Sequence, residues 1–97
     1  MKCIWDEVKN QVNQQKHGLS FDEASQLFAL PEHLILEEYD YDHSADEDRV
    51  RSIGPISRGV IVVISIEHEN DQAVRLISAR IATPIERRRY ADLIAGV

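Results

Sequence analysis

Apolar residues along this chain recur at the spacings that are typical of strands and of helices. Val60–Ile66 is an almost unbroken run of valine and isoleucine, which indicates a strand buried on both faces and therefore central in its sheet. Val74–Ala82 is also rich in apolar and β-branched residues, and the polar loop Glu67–Gln72 between the two runs predicts that they pair antiparallel. Three shorter strands are expected at Met1–Trp5, Leu34–Tyr39 and Arg49–Ile53. Gly54 and Pro55 are expected to break the last of them.

A first helix is predicted at Glu7–His17. Asp6 is in the position of its N-cap, and Gly18 is in the position of a left-handed C-cap. Val8 and Val12 are expected on its inner face, because a spacing of four residues places them on the same side of the helix.

Two capping boxes start the other helices. Ser20 and Glu23 open a helix that is expected to extend to residue 27 or 28. Thr83 and Glu86 open the helix Pro84–Gly96, whose proline is in the first helical position. The predicted order is βααββββα. We therefore expect a single α+β domain over residues 1–97, with an antiparallel sheet packed against three helices.

Length and composition indicate one soluble domain. The 97 residues are 43% apolar and 29% charged, which is ordinary for a globular protein. No apolar run reaches the ~20 residues that a membrane helix needs. The chain is acidic at Asp6 and Glu7, where a signal peptide would be apolar, and Cys3 is its only cysteine. We expect a protein of the reducing cytoplasm that has no contact with a membrane.

The charges are divided between the two halves of the chain. Residues 1–48 contain 12 Asp or Glu and all 3 lysines, whereas residues 49–97 contain 5 Asp or Glu and all 8 arginines. The net charge of −6 argues against a general nucleic-acid coat protein, because non-specific binding needs excess cations. The division predicts one cationic face for an anion and an acidic face for a basic partner. The alternative is that the two halves pair with each other inside the molecule.

Neither group of potential metal ligands has the required spacing. The acidic turn Asp40–Asp48 begins like a calcium loop, but Ala45 stands where glycine is required and Arg51 where a bidentate glutamate is required. The four histidines lie far apart in sequence, without an i, i+4 pair or a cysteine partner. We therefore expect a solvated turn, and neither a metal site nor a cofactor.

Two basic positions are candidates for phosphate binding. Lys16 and His17 lie in the last predicted turn of the first helix, where they complement the helix dipole and need have no other role. Histidine titrates near neutral pH, and an adjacent ammonium favours phosphate, so the pair gains a function if folding brings it near the arginines. Arg80 has apolar neighbours, so it is either paired inside the protein or at the edge of a cleft. Strand alternation predicts that Leu76, Ser78 and Arg80 share one face and that Arg75, Ile77, Ala79 and Ile81 share the other.

Short motifs with a specific order and spacing extend over nearly the whole chain. Their residues near the start are Trp5, Asp6, Lys9, Asn13, Lys16, His17, Gly18, Ser20, Phe21, Glu23 and Ala24. The later ones are His43, Ser44, Glu47, Arg49, Ile53, Gly54, the run Arg75–Arg80, Glu86, Arg87 and Tyr90. In this order the motifs resemble those of the BrnT toxins of BrnT/BrnA type II toxin–antitoxin modules.

The resemblance implies a RelE-like fold and a bacterial ribonuclease that arrests translation. It also implies a BrnA-like antitoxin of the ribbon-helix-helix type, which binds operator DNA and brings two toxins together in a heterotetramer. The acidic first half is then expected to match a basic stretch of that antitoxin.

RNA cleavage without a metal requires a base for the attacking 2′-hydroxyl, an acid for the leaving 5′-oxygen and cations around the phosphate. His17 is the candidate acid or base because histidine is the side chain that most often exchanges protons in catalysis. Lys16 and Arg80 are expected to hold the phosphate.

Five further residues are candidates for the same site. Either Arg49 or Arg75 is expected to be an additional phosphate clamp. Glu47 is either the base or a residue that orients Arg49. Arg75, Arg87 and Tyr90 are expected to contact RNA, with Tyr90 stacking on a base or forming a hydrogen bond in the site. A solvated helix face is the alternative for Arg87.

The competing hypothesis is a binding module without chemistry of its own. Such a chain would be a folded partner of a DNA-binding antitoxin, with its arginines anchoring a protein interface. A toxin that has lost its activity would behave in the same way.

Overall fold

The protein is described by a computed structural model over residues 2–43, 47–68 and 72–96. Within these ranges, five strands form one sheet: β1 (Lys2–Ile4), β2 (Leu36–Tyr39), β3 (Val50–Ile56), β4 (Gly59–His68) and β5 (Ala73–Ile81). The α-helices of the same residues are α1 (Glu7–His17), α2 (Phe21–Ala24) and α3 (Pro84–Ile94). Short 3-10 segments are formed by Ser25–Ala29, Glu32–Leu34 and Tyr41–His43. The α+β class is confirmed, and none of these helices is long and apolar enough to cross a membrane. Residues 44–46 of the acidic turn and residues 69–71 of the polar loop lie outside the described ranges.

The strand order in the sheet is β1-β5-β4-β3-β2. The valine-rich run lies in β4 at the centre, and β4 pairs antiparallel with β5, as predicted. The expectation of a fully antiparallel sheet is wrong, because β1 pairs parallel with β5 and makes the sheet mixed. No hairpin constrains this pair, since most of the chain separates β1 from β5.

Strand β3 continues through Gly54 and Pro55, contrary to the predicted break. In the register, Pro55 lies opposite Val60 of β4. The carbonyl of Val60 accepts a hydrogen bond from the Ala82 amide at 2.9 Å, on the side of β5. Val60 therefore makes no ladder bond with Pro55, and β2 pairs with β3 only up to Ile53. A proline at this position removes no hydrogen bond from the sheet.

Helices cover both faces of the sheet. One core cluster joins α2 and the residues around it to the face that carries Ile61 and Val63. Its buried members are Leu19, Phe21, Ala24, Leu27, Ile61, Val63, Val74, Leu76 and Ala79. The second cluster consists of Ile53, Val62, Ala82 and Tyr90 of α3. Successive residues of β4 point to opposite faces, so α2 covers one face and α3 covers the other, while α1 packs against β5.

The second helix is shorter than predicted. α2 ends at Ala24 and continues as the 3-10 segment Ser25–Ala29, a common way for a helix to end. This segment packs Leu27 directly on the backbone of β3. A Cβ atom added to Gly54 would lie 2.5 Å from Leu27 Cδ1, so this close approach requires glycine.

Helix α1 has the opposite orientation to the predicted one. Val8 and Val12 are 68% and 55% exposed, whereas Asn10 and Asn13 are buried. The asparagines are buried because their amides bind backbone groups of other segments. Asn10 Oδ1 accepts a hydrogen bond from the Phe21 amide at 2.8 Å, which fixes the start of α2 against α1.

Candidate functional site

A groove of about 250 Å³ lies between α1 and β5. Its lining residues are Val8, Lys9, Val12, Asn13, Lys16, His17, Ile77 and Ser78. Two of the predicted catalytic residues, Lys16 and His17, are therefore in one groove. No ion pair involves either of them or Lys9 within the described part of the chain, whereas other cations nearby are paired.

Asn13 fixes α1 against the edge of β5. Its Nδ2 group donates to the carbonyls of Leu19 at 2.8 Å and Ala79 at 2.9 Å, and its Oδ1 accepts from the Ala79 amide at 3.1 Å. β1 pairs only with Ala73–Arg75. The side chain of Asn13 therefore binds Ala79 in the way that a neighbouring strand would, and it holds the groove at a fixed width.

A bulge changes the predicted alternation of β5. In the register with β4, Ile64 lies opposite Ser78 and Ser65 lies opposite Leu76, so Ile77 has no opposite residue. Leu76 and Ala79 consequently belong to the same core cluster, although alternation placed them on different faces. The bulge brings Ile77 and Ser78 into the lining of the groove.

Arg80 lies on the face of the sheet that α3 covers. Its guanidinium binds Glu86 through two hydrogen bonds, from Nη1 at 2.7 Å and from Nη2 at 2.9 Å. Glu86 also accepts from the Thr83 amide at 2.8 Å, so one carboxylate caps α3 and holds Arg80. The hydrogen bonds from Arg80 lower the pKa of Glu86 to about 2, and the pKa of Arg80 is raised by the same carboxylate.

Lys16, His17 and Arg80 lie at the same end of β5 but do not share one pocket. The guanidinium of Arg58, in the β3–β4 turn, donates to the Gly18 carbonyl at 2.7 Å, which places the end of α1 beside that turn. Ala82 lies at the same end of the sheet, because its amide donates a hydrogen bond to the carbonyl of Val60 near the start of β4. Arg80 is not among the residues that line the groove. Arg80 follows Ser78 of the groove by two residues on the same face of β5, where the two residues lie opposite Val62 and Ile64 of β4.

Glu47 and Arg75 form an ion pair near the opposite end of β5. Arg75 Nη2 is 3.1 Å from Glu47 Oε1. Arg75 precedes Arg80 by five residues, which corresponds to roughly 16 Å along a strand. The Arg49 carbonyl accepts a hydrogen bond from the Asp40 amide at 2.9 Å. Arg49 directly precedes Val50 of β3, which lies opposite Ser65 of β4, and Ser65 lies opposite Leu76 of β5. Glu47, Arg49 and Arg75 are not among the residues that line the groove with Lys16 and His17.

Tyr90 is a packing residue rather than a surface aromatic. It is only 9% exposed, and its hydroxyl donates to the Leu34 carbonyl at 2.6 Å. Desolvation by burial raises the pKa of this phenol. This burial does not favour the predicted stacking on an RNA base, which stays a prediction. Arg87 is exposed and its Nη1 donates to the Ala82 carbonyl at 3.3 Å.

The alternative of pairing between the two halves of the chain describes at least four of the eight arginines. Arginines of the second half bind glutamates of the first half in the pairs Arg51–Glu38, Arg58–Glu23, Arg75–Glu47 and Arg89–Glu38. The cations of the groove are lysines and a histidine of the first half. A surface that is available to an anion therefore lies on α1, where Lys16 has no ion pair among the described residues.

Two residues of this region were assigned no role in the site from the sequence. Asn13 was visible only as a motif residue, and its partner Ala79 is 66 residues away. Glu86 was predicted to cap a helix, and it does, but nothing in the sequence indicated that it also binds Arg80.

The chain matches the model of a known protein family. A family model described as "Ribonuclease toxin, BrnT, of type II toxin-antitoxin system" matches residues 5–86. The curated proteins contain no match to the chain. The matched range includes the groove, the ion pair of Glu47 and Arg75, and the pair of Arg80 and Glu86.

Proposed function

The chain belongs to the BrnT family of ribonuclease toxins of type II toxin–antitoxin systems, and from that premise we propose that it is an endoribonuclease that cleaves RNA without a metal ion and thereby inhibits translation. The observation that supports this proposal is the groove between α1 and β5, where Lys16 and His17 lie side by side without an anionic partner among the described residues. A phosphodiester is the anion that such a pair suits.

In the proposed reaction, the 2′-hydroxyl of one nucleotide attacks the adjacent phosphorus and the bond to the 5′-oxygen breaks. The 2′-oxygen loses a proton to a base, the 5′-oxygen gains one from an acid, and the products are a 2′,3′-cyclic phosphate and a 5′-hydroxyl. His17 is the group that exchanges protons, and Lys16 stabilises the negative charge that accumulates on the phosphate.

Arg80 has a proposed role beside the groove. Its guanidinium is held by Glu86 at 2.7 and 2.9 Å, so its orientation is fixed before RNA binds. Because Arg80 follows Ser78 of the groove by two residues on the same face of β5, an RNA strand that leaves the groove along β5 is proposed to meet Arg80. We assign no cleavage step to Glu47, Arg49 or Arg75, because none of them is among the residues that line the groove. Arg87, which is exposed, is proposed to contact the flanking RNA.

The partners are proposed from the family. The antitoxin is a BrnA-like ribbon-helix-helix protein, two toxins assemble on one antitoxin dimer, and operator DNA is bound only through the antitoxin. The cytoplasm is the proposed compartment, since translation is the target.

A cleavage assay tests the enzyme proposal. Purified chain, freed of antitoxin, is incubated with RNA in EDTA, and the new ends are analysed. Products with 2′,3′-cyclic phosphates are expected, and His17→Ala should reduce the rate by about 100-fold or more. His33→Ala, an exposed histidine on the segment Glu32–Leu34, is the matched control and should cleave like the wild type. Cleavage that stops in EDTA and returns with Mg²⁺ would contradict the proposed chemistry.

The second candidate is a binding partner without activity. It is favoured by the pairing of Arg51, Arg58, Arg75, Arg80 and Arg89 with glutamates, which leaves few cations for RNA. Absence of cleavage under all ionic conditions, combined with tight antitoxin binding, would support this candidate.

A further inference from the structure

Helix α1 exposes its aliphatic residues and buries its amides. Val8 and Val12 are four residues apart and so lie on the same side, at 68% and 55% exposure. Asn10 and Asn13 are 2% and 5% exposed, and their amides form hydrogen bonds with Phe21, Leu19 and Ala79. Turning the valines inwards would break these bonds. The exposure of the valines is therefore a fixed property of the fold.

The valines form the apolar half of the groove. Ile77, displaced by the bulge in β5, lies opposite them. The cationic half consists of Lys16 and His17, with Lys9 beside Val8 and Val12. Lys9 has no ion pair within the described part of the chain. One continuous surface thus offers three aliphatic side chains beside three basic ones.

This chemistry favours a protein segment over a nucleic acid in the apolar half. Single-stranded RNA is bound by stacking bases on aromatic rings, and the lining contains none. Valine and isoleucine instead suit the aliphatic side chains of a partner, and the lysines suit carboxylates. A groove with this lining fits an acidic segment that carries leucine, isoleucine or valine.

We propose that the groove between α1 and β5 is the docking site of an acidic, aliphatic segment of the antitoxin. Its apolar side chains insert between Val8, Val12 and Ile77, and its carboxylates bind Lys9 and Lys16. The inference rests on the proposed function in one respect: a segment bound here covers Lys16 and His17, so antitoxin and RNA exclude each other.

The decisive experiment separates antitoxin binding from RNA cleavage. The double variant Val8→Ser/Val12→Ser is titrated with the co-encoded antitoxin by calorimetry, and its RNA cleavage is measured without antitoxin. The expected result is a dissociation constant raised by about 30-fold or more, because two aliphatic contacts are lost. RNA cleavage by the same variant is a separate readout, because the two valines line the groove that also contains Lys16 and His17.

The chain offers a matched control on α3. Ile85 and Leu93 are 74% and 42% exposed, so Ile85→Ser/Leu93→Ser removes comparable apolar surface elsewhere. This control should bind antitoxin within about threefold of the wild type. A second test reverses a charge in the groove: Lys9→Glu should weaken antitoxin binding by about tenfold or more. Lys2→Glu on β1 is the control for this charge reversal.

Each alternative outcome decides the question. Unchanged antitoxin affinity of Val8→Ser/Val12→Ser, or an equal loss in the α3 control, would overturn the proposal. Loss of RNA cleavage with unchanged antitoxin affinity would assign the groove to RNA alone and also overturn it. If the wild type cleaves no RNA, the proposed function fails, but the antitoxin titration still tests the docking site. All variants are substitutions at exposed side chains, and urea unfolding verifies that they fold.

Discussion

Replacement of Asn13 by alanine should destabilise the protein strongly, although the residue is polar. The change removes the partners of three backbone groups: the carbonyls of Leu19 and Ala79 and the amide of Ala79. A buried backbone group without a partner costs about 1–3 kcal/mol. Since Asn13 lines the groove, water can enter and bind some of these groups, and we expect the total at the low end, roughly 3 kcal/mol.

Urea unfolding followed by circular dichroism measures this loss as a difference in the free energy of unfolding. Gln11→Ala, an exposed amide on the same helix, is the control and should change that free energy by less than about 0.5 kcal/mol. Asn13→Asp has the same shape but places a carboxylate against two carbonyls, so it should destabilise at least as much as alanine at pH 7. A loss below about 1 kcal/mol for Asn13→Ala would refute the argument that this amide holds α1 on β5.

Two further predictions concern the face that α3 covers. Because Arg80 lowers the pKa of Glu86 to about 2, the ionised carboxylate adds stability above its ordinary pKa of 4.5, and this stability is lost as the pH falls towards 2. Glu86→Gln should therefore lose about 2 kcal/mol at pH 7, and urea titrations should show its difference from the wild type shrinking between pH 5 and 2; a constant difference would contradict the ion pair. Tyr90→Phe removes the hydroxyl that binds the Leu34 carbonyl, so thermal unfolding should show a loss of about 1 kcal/mol while RNA cleavage is unchanged. Reduced cleavage by a stable Tyr90→Phe would restore Tyr90 to the site.

Local patterns were sufficient to predict the elements and the class of the fold. The capping boxes at Ser20 and Thr83 form as predicted, and so does the left-handed cap at Gly18. These signals are visible because each involves residues within one helical turn. The central position of β4 could also be predicted from the sequence, since a strand that is buried on both faces requires a continuous apolar run.

The errors arise where a distant segment supplies the partner. Apolar periodicity assigned Val8 and Val12 to the core, because the sequence gives no sign that Asn13 binds Ala79 across the fold. The bulge at Ile77 exchanges the faces of its neighbours, and no local rule places a bulge within a uniform apolar run. Lys16 and His17 were identified as a candidate pair, but the sequence did not indicate that Arg80 would bind Glu86 outside the lining of their groove.

The amide of Asn13 also has a consequence for solubility. Strand edges with free hydrogen-bonding groups are templates for pairing with another chain, and Ala79 lies on such an edge once α1 detaches. A transient opening of α1 therefore uncovers apolar residues of β5 for intermolecular association. By holding α1 on β5, the side chain of Asn13 therefore also protects the toxin from aggregation.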